Sequence, residues 1–143
     1  MKTNYAGHYE ILMAVVTHLA VHKWAIRQPK GIAKDLSLDV EAVLTVLKSY
    51  KGLFRESSGS SRDHGEHFYS LHLRHYRQAV VENADQERPP LEPDYLFPLL
   101  KFVADKAAQQ SQQTTAVKIA SITSAISFMV AIASLVVAFH KGP

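Results

Sequence analysis

Eight histidines in 143 residues raise metal binding first. His18 and His22 stand four apart inside an apolar run, a spacing that lets two imidazoles on one helical face share an ion. His64 and His67, and again His72 and His75, have H-x-x-H spacing. Within "FYSLHLRHY", read as a strand, His72 and His75 fall on opposite faces, so they should not converge. The pair His18 and His22 lacks an evident third ligand, and no metal or other cofactor is expected. "SSGSSRDHG" sets Ser, Asp and His side by side, but a triad needs groups gathered in space around an oriented base, which neighbours in a polar loop do not supply. The chain has no Gly-rich phosphate loop, no H-E-x-x-H and no paired-carboxylate arrangement. No catalytic residue is assigned, and the chain is not expected to be an enzyme.

The absence of cysteine excludes disulfides, thiolate nucleophiles and cysteine-ligated zinc. The net charge of +3 and pI near 9.2 invite a nucleic-acid reading, but the charges are unevenly placed. Through Pro93 there are 12 basic and 11 acidic residues, and most of the excess lies further on, at Lys101, Lys106, Lys118 and Lys141. "ILMAVVTHLAV" has the length of a signal-peptide core, yet Glu10 precedes it, His18 interrupts it and no small-residue cleavage site follows. It reads as a buried helix.

The elements that would position these residues follow from periodicity. Tyr9, Leu12, Met13, Val16, Leu19 and Ala20 recur at three- and four-residue steps, predicting a helix from about Ala6 to Lys23. "AIRQPK" predicts a short extended segment, "GIAKDL" a two-turn helix and "SLD" a turn. Asp39 is the expected N-cap of a third helix, "VEAVLTVLKSYKG", which turns Val43, Val46, Leu47 and Tyr50 to one side and ends at Gly52. "LFRES" and "HFYSLHLRHY" alternate apolar and polar residues, predicting a hairpin around the loop "SGSSRDHGE".

"KGIAKDLSLDVEAVLTVLKSYKGLFRES" resembles the core of the winged helix-turn-helix family: Ile32, Ala33 and Leu36 at the apolar positions of its second helix, Leu38 in the turn, Val43 and Leu47 inside the third, and Gly52-Leu53-Phe54 at the exit into the wing. The resemblance covers about residues 6 to 78. It implies a mainly α fold with a small β-hairpin, and a partner surface on the third helix and wing. DNA readers of this family present Arg, Lys, Gln, Asn or Ser at the exposed start of the third helix. Here Asp39, Glu41, Ala42 and Thr45 stand there, Lys48 and Lys51 come late, and the wing mixes Arg55 and Arg62 with Glu56, Asp63 and Glu66. Carboxylates facing a phosphate-lined groove are repelled, so a protein-interaction module is favoured over a DNA reader.

"ENADQERPPLEP" reads as a charged, proline-rich linker. From Asp94 a second helical pattern begins, with Leu96, Leu99, Leu100 and Val103 on one side and Pro98 near its first turn. Nothing stops that helix before residues 119–139, which are 21 residues without a charge. As a helix they span about 31 Å, against a hydrocarbon core of roughly 30 Å. Lys101, Lys106 and Lys118 precede the stretch and Lys141 alone follows it, which by the positive-inside tendency keeps the N-terminal domain in the cytosol. Ala120, Ser124, Ser127, Ala131, Ser134 and Ala138 recur at alternating steps of four and three, a seam of small residues suited to helix association in a bilayer.

The expected organisation is a winged helix-turn-helix domain (1–81), a Pro-rich linker (82–93), a juxtamembrane helix (94–118), a transmembrane helix (119–139) and a short tail (140–143). The expected function is that of a single-pass, self-associating adaptor or effector subunit. Its partners would be other copies of itself, the bilayer of a bacterial inner membrane, and a cytosolic protein or ligand, in an arrangement that would suit bacterial stress response or antiviral defence. The alternative is a membrane-tethered DNA-binding regulator.

Overall fold

The structure, a computed structural model, describes residues 3–60, 67–77 and 89–140. It is mainly helical, with one small sheet. In chain order the elements are α1 (Tyr9–Val21), β1 (Ile26–Arg27), α2 (Pro29–Leu36), α3 (Val40–Ser49), β2 (Phe54–Ser60), β3 (His67–Leu71), α4 (His72–Arg77) and α5 (Pro93–His140). The chain divides into two compact units, Met1–Ala107 and Ala108–Pro143.

In the first unit, α1, α2 and α3 enclose one apolar core with the sheet. α1 contributes Leu12, Val15, Val16, Leu19 and Ala20; α2 contributes Ile32 and Ala33; α3 contributes Val43, Val46 and Leu47. Tyr50, Phe54, Tyr69 and Leu71 complete the wall, and Leu36 and Leu38 are partly buried against it. The buried face of α1 is turned slightly from the expected one: Val15 is buried, whereas Tyr9 is exposed. α2 starts on Pro29, which fits a first-turn position where an N–H would be unpaired. It closes with Ser37 in the left-handed region, at φ 55°. The Ser37 N–H donates to the Lys34 carbonyl and the Leu38 N–H to the Ala33 carbonyl, a Schellman closure that turns the chain directly into α3. Asp39 then caps α3, its Oδ2 accepting the Ala42 N–H at 2.9 Å.

The sheet is antiparallel in the order β1-β3-β2, so β3 is central. Ser70 pairs with Ile26 on one side and Arg55 on the other. The second hairpin strand ends earlier than its alternating sequence suggests. β3 stops at Leu71 and the chain turns into α4, so His72 and His75 sit on a short helix and not on opposite faces of a strand. The reason is Arg74, only 1% exposed. Its guanidinium donates to the carbonyls of Leu19 (2.8 Å), His22 (2.7 Å) and Pro89 (3.0 Å). Two of these belong to the C-terminal end of α1, where carbonyls lack helical partners and the helix dipole favours a cation. Continuing β3 as a strand would carry Arg74 away from them.

The first unit also reaches beyond the expected boundaries of 81 and 93. The Leu91 N–H donates to the Ala20 carbonyl at 2.8 Å, Leu91 is buried, and the start of α5 adds Val103 and Ala107 to the buried set. Tyr95, Leu96, Leu99 and Leu100 lie against the same core. The apolar face anticipated for a separate juxtamembrane helix is thus spent, through Ala107, on the N-terminal unit. Pro98 lies inside α5 and not in its first turn. The linker residues 82–88 lie outside the described residues.

The second unit is the remainder of α5. Thr114 and Thr115 bond back to the carbonyls of Gln110 and Ser111 at 2.9 and 3.0 Å. The backbone of 119–139 is helical, and of its side chains the structure describes Ile119, Ala120, Ser124 and Ser127, all exposed. Among the described residues no helix is long and apolar enough to cross a membrane.

Candidate functional site

Two surfaces of the first unit gather polar side chains: the α3 face and the junction of α1 with α2. On α3, Asp39 turns its carboxylate back onto the helix N-terminus as the cap. Glu41 is exposed in the first turn, where the helix dipole favours it, and Thr45 is half-buried. Lys48 and Lys51 are exposed and line, with Ser49, Gly52 and Glu56, an open cavity of about 640 Å³ at the far end of the helix. Arg55 reaches the ring of His75 on α4. Arg62 lies outside the described residues. The α3 surface therefore presents an acidic, capped start and a mixed-charge end.

Of the small residues expected to form a seam in the tail, Ala120, Ser124 and Ser127 are exposed, and the side chains of Ala131, Ser134 and Ala138 lie outside the described residues.

The second surface is more concentrated. His18 stands in the last turn of α1 and His22 is its C-cap, with ring centroids 4.7 Å apart. α2 crosses so that Asp35, in its last turn, points its Oδ2 at both: 3.5 Å from Nε2 of His18 and 3.8 Å from Nε2 of His22. Arg27 of β1 donates to the same oxygen. Its guanidinium lies along Gly31, where a Cβ would come within 3.2 Å of Nη2, so the absence of a side chain makes room for it. The His22 ring is further held by the Trp24 N–H, donated to Nδ1 at 3.0 Å.

This cluster is polar but incompletely satisfied. His18 Nε2 and Arg27 Nε are buried without a hydrogen-bond partner. Burial pushes the His18 pKa below its ordinary value; neighbouring His22 and Arg27 act in the same direction, and the Asp35 carboxylate opposes them. Among the described residues, His18, His22 and Asp35 form a group that could hold a metal ion, with ligand atoms all within 4.8 Å of one another. The sequence displays the histidine pair, but Asp35 joins it only through the α1–α2 crossing. Arg74 was likewise missed, because period-two alternation gives no sign that one residue of the pattern is drawn under a helix end.

No family model, curated protein or solved structure matches this chain.

Proposed function

We propose that this chain is a membrane-anchored, self-associating adaptor or effector subunit whose N-terminal unit is a winged helix-turn-helix module that receives a cytosolic partner. The observation that carries the reading is the 21-residue uncharged stretch 119–139, the length of one bilayer crossing. The helical backbone of α5 across it is compatible with that role. The element order α1, β1, α2, α3, β2, β3 and the antiparallel hairpin support the winged-helix reading. The acidic start of α3 supports a protein partner over DNA: Glu41 is exposed there, and Asp39 is committed to capping. Lys48 and Lys51 share their cavity with Glu56, which weakens them as phosphate contacts.

The test is alkaline-carbonate extraction of membranes containing the full chain, followed by cross-linking. The chain should stay with the integral membrane fraction and cross-link to itself. Ser127→Leu with Ala131→Leu should separate the copies while leaving insertion intact, because bulky side chains keep helix backbones apart. Val130→Leu, off the seam, should change neither. Release into the carbonate supernatant would sink the membrane reading, and a site-specific nanomolar complex with duplex DNA would replace the adaptor with a tethered regulator.

A further inference from the structure

We propose that His18, His22 and Asp35 form a binding site for one divalent transition-metal ion of the zinc class, which clamps the end of α1 to the end of α2. The proposal is independent of the membrane reading, since every residue in it belongs to the first compact unit.

The donor set comes first. Two imidazoles and one carboxylate are three protein ligands that leave a fourth, solvent-filled position, a recurrent zinc arrangement. Imidazole nitrogen selects zinc, cobalt or nickel over magnesium and calcium, which prefer all-oxygen sites. Geometry follows. With metal–ligand bonds of about 2.0–2.1 Å at tetrahedral angles, donor atoms sit about 3.3 Å apart. Asp35 Oδ2 lies 3.5 Å and 3.8 Å from the two Nε2 atoms, and all three donor atoms lie within 4.8 Å of one another, so the side chains must draw together around the ion. The nitrogen of the more buried histidine, His18 Nε2, has no hydrogen-bond partner. A buried ring nitrogen without a partner is costly, and coordination would satisfy it.

Two neighbours set the conditions for binding. His22 Nδ1 accepts the Trp24 N–H at 3.0 Å and has the Trp24 carbonyl at 3.4 Å. Coordination through Nε2 requires the ring proton on Nδ1, which then donates to that carbonyl, the usual support of a metal-bound imidazole. Metal binding thus exchanges one tautomer for the other: the Trp24 carbonyl gains a donor, and the Trp24 N–H gives up Nδ1 as its acceptor. Arg27 competes for the ion's place, because its guanidinium holds Asp35 Oδ2, the oxygen that faces both rings. The clamp is therefore regulated by charge: the cation on β1 and the metal exclude each other from one carboxylate oxygen.

The experiment is titration of the untagged, detergent-solubilised full chain with Zn²⁺ by calorimetry, and with Co²⁺ by visible absorption. One ion per chain should bind with the spectrum of a four-coordinate site, and Zn²⁺ should raise the unfolding temperature by mass action. His22→Gln and Asp35→Asn should each weaken binding by more than the roughly 10- to 100-fold that loss of an outer-shell partner costs. Arg27→Gln, which keeps all three ligands, should bind more tightly than the wild type. Far-ultraviolet dichroism of the metal-free variants checks that each is folded. Binding that survives Asp35→Asn, that Arg27→Gln weakens, or that disappears only in His64→Asn with His67→Asn would overturn the site.

Discussion

Arg74 and the His18–His22–Asp35 cluster flank the same end of α1, and they treat buried polarity in opposite ways. Arg74 is almost fully enclosed, and its guanidinium meets three backbone carbonyls at 2.7–3.0 Å. The cluster is more open, with Asp35 about a third exposed, yet it leaves His18 Nε2 and Arg27 Nε without a hydrogen bond. A buried polar group whose bonds are made specifies a fold; one whose bonds are unmade in a roomier place has capacity for something else. Arg74 is accordingly a structural cap on α1, and the cluster is where a ligand would be gained.

The largest expected effect is on the structural side. Arg74→Met keeps much of the side-chain volume but strips the carbonyls of Leu19, His22 and Pro89 of their donor, and should cost about 3 kcal/mol of stability, the scale of a lost charged hydrogen-bond set. Urea unfolding monitored by dichroism measures it. A loss under 1 kcal/mol would erase the contrast between the two sites. Asp35→Asn, by comparison, should cost about 1 kcal/mol or less, because a partly exposed ion pair gains little in folding. If Asp35→Asn proves as damaging as Arg74→Met, the cluster is a structural element and its open valences are incidental.

Much of the scaffold was legible from sequence and the two polar sites were only half so. Val43, Val46, Leu47 and Tyr50 follow from helical period and are all buried; Asp39 follows from local capping chemistry and makes its bond. Local signals of this kind survive because their partners are a few residues away. Arg74 and Asp35 acquire their meaning from atoms on other elements. The alternation of "HFYSLHLRHY" favoured a strand through Tyr76, and the need of α1 for a terminal cation overrode it. The face of α5 was also legible, but what it packs against was not: Leu96, Leu99, Leu100 and Val103 turn to the N-terminal core.

A pH titration sharpens the comparison further. His18 has its pKa lowered chiefly by burial, with His22 and Arg27 adding to the shift and Asp35 resisting it. Between that depressed value and about 6.5 the unfolded chain binds a proton that the folded chain does not, so stability rises with pH across the window. The contribution is whole above about pH 6.5 and is lost as pH falls through the folded-state value. With a chelator present, the urea midpoint should therefore fall between pH 7 and pH 5, and His18→Gln should flatten that slope. Arg74→Met should leave the slope unchanged, since arginine does not titrate there. A parallel slope in His18→Gln would place the acid sensitivity elsewhere.

The smallest effect is a gain. Ser37 holds a left-handed backbone at φ 55° where α2 closes, a conformation that costs a side-chain-bearing residue about 1 kcal/mol or more and glycine almost nothing. Ser37→Gly should stabilise the chain by about 0.5 kcal/mol once the greater freedom of glycine in the unfolded state is set against the relieved strain. The substitution lies two residues from Asp35 and in the same closure, but it removes no group from either polar site. The Schellman bonds from Ser37 and Leu38 are backbone bonds, so α2 should still end where it does and present Asp35 as before. Zinc affinity in Ser37→Gly should then match the wild type while the urea midpoint rises. A variant that gains stability and loses zinc would mean that the strained turn itself aims Asp35 at the histidines, and would tie the metal site to the helix-turn-helix closure.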